Sequence, residues 1–277
     1  MSTQIEKYIE NCQVCQIWQR NQQKEPLKLF PIPTSPWESI SVDILNHGST
    51  DYLVLYDYYS CWIEALSLRT KTTLEVIHHL KSVFSRLGIP QLVVSDNNPF
   101  NSREYKQFAA DWGFTYTFTS PRNSQANGHA EKGVSIAQTL LRKNSDLHAA
   151  LLQYRNAPVP HLGYSPSQLL HSRVLRTKIA TSASILQPAL PDHSQLMKAR
   201  QREREVQEYY YNRQAKPLPS LASGDQIYFK NTLDDKKWIP GKIQEARDHR
   251  QYLVQGQNGG HYLRNRRFIR KPTRFTS

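Results

Sequence analysis

Ser39-Ile40-Ser41-Val42-Asp43-Ile44-Leu45 is the stretch on which the reading of the fold turns. Its β-branched and aliphatic residues predict a buried strand, yet Asp43 stands in the middle of it. An acid inside such a run is costly to bury unless it is paired or bound to a metal. Two further strand-like runs follow, Tyr52–Tyr58 and Trp62–Ser67, after the turn signals His47-Gly48-Ser49-Thr50 and Tyr59-Ser60. Strands so closely spaced predict an antiparallel meander. A helix is then expected over Thr72–Arg86, with Leu74, Ile77, Leu80, Lys81 and Phe84 near helical spacing and Gly88 at its end. A short strand at Leu92-Val93-Val94, a helix over Ser102–Trp112 and a strand at Phe114–Phe118 come next. After the Ser120-Pro121-Arg122-Asn123 turn, a longer helix runs to about Arg142. The pattern predicts an α/β fold: one mixed sheet with helices on its faces.

Working outward, Gln4–Gln23 reads as helix interrupted by Cys12-Gln13-Val14-Cys15, and Pro26, Pro31, Pro33 and Pro36 make the next stretch an extended linker. Downstream, Asp146–Asn156 predicts a helix and Leu196–Arg213 a charged helical arm, ended by Pro217, Pro219 and Gly224. Short strands follow at Gln226–Lys230, Lys237–Ile243, Tyr252–Gln255 and Gly260–Arg264, the size of a small β-barrel. The expected organisation is an N-terminal segment 1–23, a linker 24–37, a core with its helical exit 38–190, a charged helical linker 191–223 and a small basic barrel 224–277.

The 277 residues bear a net charge of +13, which favours a polyanionic partner through counterion release. From Pro191 to Ser277 there are 18 Lys and Arg against 9 Asp and Glu, so the last third holds +9 of that excess. Three cysteines are too few for a disulfide scaffold and suit a reducing compartment. No apolar run approaches a membrane span and no apolar signal core opens the chain, so a soluble, intracellular protein without a membrane partner is expected.

Asp96 directly follows Leu92-Val93-Val94, at a strand end where α/β sheets place ligands. Glu131 lies in the first turns of the helix opened by Ser124-Gln125-Ala126-Asn127-Gly128. Alone, each of Asp43, Asp96 and Glu131 reads most simply as a solvated acid, a cap or half of a structural pair. Together they form an oxygen-rich donor set suited to hard cations such as magnesium or manganese. Two acids from neighbouring strands and a third from a helix packed on them is what two-metal phosphoryl displacement requires.

Several separate blocks resemble retroviral and gypsy-type retrotransposon integrases. Val42-Asp43-Ile44 through Tyr52-Leu53-Val54-Leu55-Tyr56-Asp57-Tyr58-Tyr59-Ser60 is similar to their first strands, and Val94-Ser95-Asp96-Asn97 with Phe100-Asn101-Ser102 to their second-acid motif. Ser124-Gln125-Ala126-Asn127-Gly128-His129-Ala130-Glu131 resembles the third-acid motif. Leu152-Gln153-Tyr154-Arg155-Asn156-Ala157-Pro158, then Gly163-Tyr164-Ser165-Pro166, resembles the exit from the core. The resemblance implies a ribonuclease-H-like five-stranded core whose Asp43, Asp96 and Glu131 are catalytic and hold two Mg2+ or Mn2+ ions. It also implies cutting of DNA ends and joining to target DNA, self-association on DNA, no small-molecule substrate and a nuclear site of action. One departure stands out. Asp96-Asn97-Asn98-Pro99-Phe100 lacks the usual glycine and is one residue short, beside a position where misplacement is badly tolerated.

Cys12 and Cys15 have zinc-knuckle spacing, but zinc takes four ligands. The family supplies two histidines upstream and this sequence has none there, so the pair reads as the remnant half of a zinc domain and zinc binding by this chain alone is not expected. Gln125, Asn127 and Lys132 flank Glu131 and are candidates for nucleic-acid contact, although Asn127-Gly128 also reads as a tight turn. Asp57 reads as a turn or cap residue. Gly224-Asp225, Trp238-Ile239-Pro240-Gly241-Lys242-Ile243, Tyr252-Leu253-Val254 and Tyr262-Leu263-Arg264-Asn265-Arg266-Arg267 resemble the small barrel of gypsy-type integrases, and Arg264, Arg266, Arg267, Arg270 and Lys271 offer phosphate-binding groups. The leading reading is therefore a metal-dependent DNA integrase. One rival is a host-captured, catalytically silent DNA- or chromatin-binding protein. Another is a ribonuclease acting on RNA–DNA hybrids, which would leave the basic barrel unexplained.

Overall fold

The computed structural model describes residues 2–27, 29–96, 98–118, 128–144, 146–231, 235–247 and 250–272, without the side chains of residues 2, 3, 6 and 128–131. It divides into two compact units, one drawn from within 29–207 and the other from 1–28 and 208–277.

The first unit is built on β1 (Ser39–His47), β2 (Thr50–Asp57), β3 (Ile63–Leu68), β4 (Leu92–Ser95) and β5 (Thr115–Phe118), in the order β3-β2-β1-β4-β5. β1, β2 and β3 form the expected antiparallel meander, while β4 and β5 run parallel to β1. The β1–β2 turn needs a residue at φ +61, which Gly48 supplies without a Cβ clash. Leu53, Val54, Leu55 and Tyr56 are all buried, so β2 is covered on both faces rather than alternating. One face packs Ile40, Val42, Leu53 and Leu55 against α3 (Thr73–Leu87) and α4 (Arg103–Trp112). The other packs Val54, Tyr56 and Ala65 against α5 (Gly128–Lys143) and α6 (Leu147–Asn156). This is the mixed five-stranded, ribonuclease-H-like sheet with flanking helices.

Local chemistry sets the helix ends. Thr72, Ser102 and Asp146 each cap a helix by accepting a backbone N–H with the side chain, and Gly88 and Gly113 close α3 and α4 with positive φ. The buried face of α3 is Val76, Ile77, Leu80, Val83 and Phe84, whereas Leu74 is 68% exposed and Lys81 lies over the rings of Phe108 and Trp112. Ile77, Leu80 and Phe84 thus face the core as expected; Leu74 lies a turn too early on the outward side. After α6 come α7 (Pro166–His171), opened by a Ser165–Gln168 capping box, and α8 (His193–Asn212).

The second unit contains an antiparallel sheet of β6 (Gln226–Phe229), β7 (Ile239–Arg247), β8 (Gln251–Gly256), β9 (His261–Asn265) and β10 (Ile269–Arg270), in the order β10-β6-β7-β8-β9. The expected small barrel is therefore a five-stranded sheet with β10 and β9 at its edges. Its core is Leu221, Ile227, Phe229, Ile243, Tyr252, Val254 and Ile269, a small set for independent stability. The N-terminal segment packs on it. That segment is helical only over α1 (Ser2–Asn11) and α2 (Gln13–Ile17), short of the helix to Gln23 that the sequence predicts. Beyond Ile17 its backbone groups bond to the sheet: the Trp238 N–H donates to Ile17 O at 2.9 Å and its indole to Gln19 O at 2.8 Å. Among the described residues no helix is long and apolar enough to cross a membrane.

Candidate active site

Asp43 lies in β1 and Asp96 directly follows β4, and these two strands are hydrogen-bonded neighbours. β1 and β4 pair in parallel through Ser39–Leu92, Ile40–Val93, Ser41–Val94 and Val42–Ser95. Asp43 and Asp96 each come directly after the last pair of that register, Asp43 within β1 and Asp96 just past the end of β4. Asp43 is half-buried, and its Oδ1 accepts the backbone N–H of Ile44 at 2.7 Å. Asp96 is exposed, just past the end of β4, next to the wholly buried Ser95.

The short loop after Asp96 is anchored on its far side. Phe100 is buried and meets the Tyr105 ring edge to face at 5.5 Å, and the Pro99 carbonyl accepts the Thr73 hydroxyl at 3.2 Å. Ser102 then caps α4.

Glu131 lies in α5, whose backbone is described there while its carboxylate is not. The placement of that helix is fixed two residues later. A Cβ built at Gly133 would stand 2.6 Å from Tyr56 Cβ and 2.9 Å from Tyr56 Cγ, so α5 rests directly on β2 at Tyr56. Tyr56 pairs with Ser41, two residues before Asp43 on β1. Gln125 and Asn127 lie outside the described residues. Lys132 is exposed on α5, its Nζ 3.9 Å from the Glu203 carboxylate of α8. Among the described residues no group of three or more His, Cys, Asp or Glu forms a metal cluster, and the Glu131 carboxylate is not among them.

The flanking candidates separate by burial. Cys12 caps α2, its sulfur accepting the Cys15 N–H at 3.5 Å; that bond lowers the Cys12 thiol pKa, while the side-chain contact with Cys12 raises that of Cys15. Arg266 and Arg270 are buried. Arg266 donates to Pro219 O and Ile269 O, and Arg270 to the Gln16 main-chain and side-chain oxygens. Both guanidiniums are bonded within the second unit and neither faces solvent. Arg264 and Arg267 are half-buried and Lys271 is exposed, with Arg264 5.2 Å from the Tyr262 ring centroid and Lys271 paired with Asp225 at 3.0 Å.

Asp57 has the expected turn role. Its carboxylate accepts the Ser60 N–H at 3.0 Å, the Ser60 hydroxyl at 2.5 Å and the Tyr59 N–H at 3.3 Å, and burial pushes its pKa up against those bonds. Sequence reasoning missed the Glu64–Arg155 pair. Arg155 of α6 bonds Glu64 at 3.0 Å, caps the Ile63 carbonyl and stacks 4.2 Å over Trp62. The available signal was an acid in an apolar strand, the same signal that singled out Asp43.

Residues 33–124 match the family model described as integrase core domain. The chain is 28% identical over 187 residues to the Transposon Tf2-3 polyprotein of Schizosaccharomyces pombe, covering 61% of this chain and 14% of that protein. It is 26% identical over 213 residues to the uncharacterized protein K02A2.6 of Caenorhabditis elegans, covering 72% of this chain and 17% of that one. The chain thus spans less than a fifth of the length of these relatives. Its fold is similar to a chain of the simian T-cell lymphotropic virus intasome in complex with PP2A regulatory subunit B56 gamma. The TM-score is 0.63 at 18% identity, covering 99% of this chain and 91% of that one.

Proposed function

We propose that this chain, whose residues 33–124 match an integrase core domain and which has retrotransposon polyprotein relatives, is a DNA integrase that cleaves DNA ends and joins them to target DNA. The observation that supports the reading most is the parallel β1–β4 pairing up to Val42–Ser95, the residues directly before Asp43 and Asp96, in a sheet against which α5, the helix of Glu131, packs. These three carboxylates would hold two divalent cations, magnesium or manganese, whose contribution when bound is to activate the attacking oxygen and stabilise the leaving one. The all-oxygen donor set fits such hard ions. Because β1 is hydrogen-bonded on both sides and Gly133 seats α5 on β2, Asp43 and Glu131 are carried by packed elements, while Asp96 directly follows β4. Lys132, beside Glu131, would steer a phosphate toward them. Water first attacks a phosphodiester near the DNA end, and the freed 3′ hydroxyl then attacks a target phosphodiester in line.

Outside the core, Arg264, Arg267 and Lys271 would contact the DNA backbone, and copies of the chain would associate on DNA. Cys12 and Cys15 supply two of the four ligands a zinc ion takes, so less than one tightly held zinc per chain is expected from this chain alone. A second reading is favoured by the shortened loop after Asp96: a DNA-binding protein that no longer performs the chemistry. A strand-transfer assay with magnesium or manganese, run beside Asp96→Asn, separates the two. Joined products from the parent and none from the variant support the integrase. DNA binding by both without products from either supports the silent binder.

A further inference from the structure

The second unit contains a cluster with the composition of a nucleic-acid stacking platform. The Arg270 guanidinium lies 4.7 Å from the Tyr228 ring centroid and 5.3 Å from that of Trp238, and Lys230 Nζ lies 4.8 Å from the same Trp238 ring. Rings beside cations are what unpaired bases and their phosphates require. Yet Trp238 is 1%, Lys230 3% and Arg270 5% exposed.

The chain's own residues 16–22 cover the cluster. Gln16 accepts from Arg270 through its main-chain oxygen and, at 2.9 Å, through its side-chain oxygen. Ile17 O and Gln19 O accept the Trp238 main-chain and indole N–H groups, Asn21 Oδ1 accepts from Lys230 Nζ at 2.8 Å, and the Gln22 amide donates to Ile269 O at 2.8 Å. This cover is polar. A segment selected only to seal an indole would gain most from apolar side chains, whereas the groups that hold this one are amides and carbonyls, and Trp18, Arg20 and Asn21 remain exposed. Burial also lowers the pKa of Lys230, partly offset by Asp235, and brings that of Arg270 down to about 10. Gln16 and Asn21 bond the two cations through neutral oxygens, with the Asp235 carboxylate near Lys230 as well; a phosphate offers a charged oxygen in place of each amide or carbonyl and so competes with the cover.

We infer that residues 16–22 are a displaceable cover over a single-stranded nucleic-acid site formed by Tyr228, Lys230, Trp238 and Arg270. Bases stack on the two rings and phosphates sit on the two cations once the cover lifts. Duplex DNA fits poorly, because its bases are already stacked on one another. The inference concerns binding alone and goes beyond the strand-transfer reading, which can fail without affecting it.

The test is amide hydrogen exchange on the unaltered chain with and without saturating oligo(dT). Exchange in residues 16–22 and at the Trp238 amide is expected to rise about tenfold on binding while β1–β3 is unchanged. Oligo(dT) that fails to bind, or that leaves residues 16–22 equally or better protected, overturns the proposal. As a second measurement, Gln16→Ala with Asn21→Ala loosens the cover and is expected to tighten oligo(dT) binding roughly tenfold, since a larger fraction of the protein is then open. Adding Lys230→Gln should remove that gain. Equal or weaker binding by the folded double variant overturns the proposal; if that variant does not fold, the exchange result on the unaltered chain decides.

Discussion

Gly133 sets the candidate site through the side chain it lacks. With a Cβ 2.6 Å from Tyr56 Cβ, Gly133→Ala must push α5 off β2 or displace the buried Tyr56 ring. Overpacking of this kind costs about 1–3 kcal/mol, so the thermal midpoint should fall, and strand transfer should fall further than stability explains because the backbone of Glu131 moves with the helix. A variant with parental stability and activity would show that the contact is slack. Asp57 gives a pH test. Burial raises its folded pKa above the ordinary carboxylate value, so the folded state binds the proton more tightly than the unfolded chain. The contribution of this group to stability is therefore greatest below the unfolded pKa and declines as pH rises through the interval up to the folded value. Asp57→Asn should remove that decline, visible as a parent-minus-variant stability difference that changes with pH across the interval and is flat outside it. Asp43 and Asp96 are legible in sequence because an acid in or just after an apolar strand is conspicuous. Gly133 is not, since only the observed helix–strand approach shows what its missing side chain would strike.

Elements are legible in sequence where one physical signal dominates. The meander of β1, β2 and β3 follows from β-rich runs broken by turns, and α4 and α6 begin one residue after the caps Ser102 and Asp146. The N-terminal segment departs from its helical pattern past Ile17, because that pattern competes with hydrogen bonds to a sheet more than 200 residues away, at Trp238 and Ile269. No local pattern encodes such partners. The segment Tyr154-Arg155-Asn156, prominent in the sequence as a resemblance only, acquires a physical role. Tyr154 donates to Cys61 O at 2.8 Å, Arg155 pairs with the buried Glu64, and the Asn156 side-chain oxygen accepts the Leu175 N–H at 2.8 Å. α6 thereby clasps edge strand β3 and the chain leaving the core. Arg155→Ala leaves Glu64 buried without its guanidinium and should cost about 3 kcal/mol, read as a lower urea midpoint. Arg155→Lys should recover only part of the loss, because an ammonium cannot bond the carboxylate and stack on Trp62 as a planar fork does.

At the scale of the whole molecule, the excess charge of the last third does not translate directly into a DNA-binding surface. Of the five cations singled out there, Arg266 is bonded to main-chain carbonyls inside the second unit and Arg270 lies beneath residues 16–22, bonded to Gln16. Arg264, Arg267 and Lys271 keep at least part of their surface. Among these five, duplex binding should consequently depend on Arg264, Arg267 and Lys271. Removing one phosphate-binding cation reduces the slope of log affinity against log salt by about 0.9. Replacing Arg264, Arg267 and Lys271 with glutamine should therefore flatten the slope by about two to three units and weaken binding uniformly across sequences. Arg266→Gln should instead lower the unfolding midpoint and leave the duplex salt slope unchanged, because its guanidinium holds Pro219 O and Ile269 O rather than facing solvent. The two outcomes are measured by fluorescence anisotropy titrations at several salt concentrations, paired with thermal melts of the same preparations. A slope unchanged by the triple replacement would move duplex contact away from this sheet, and a slope reduced by Arg266→Gln at parental stability would mean that buried arginine reaches the DNA after all.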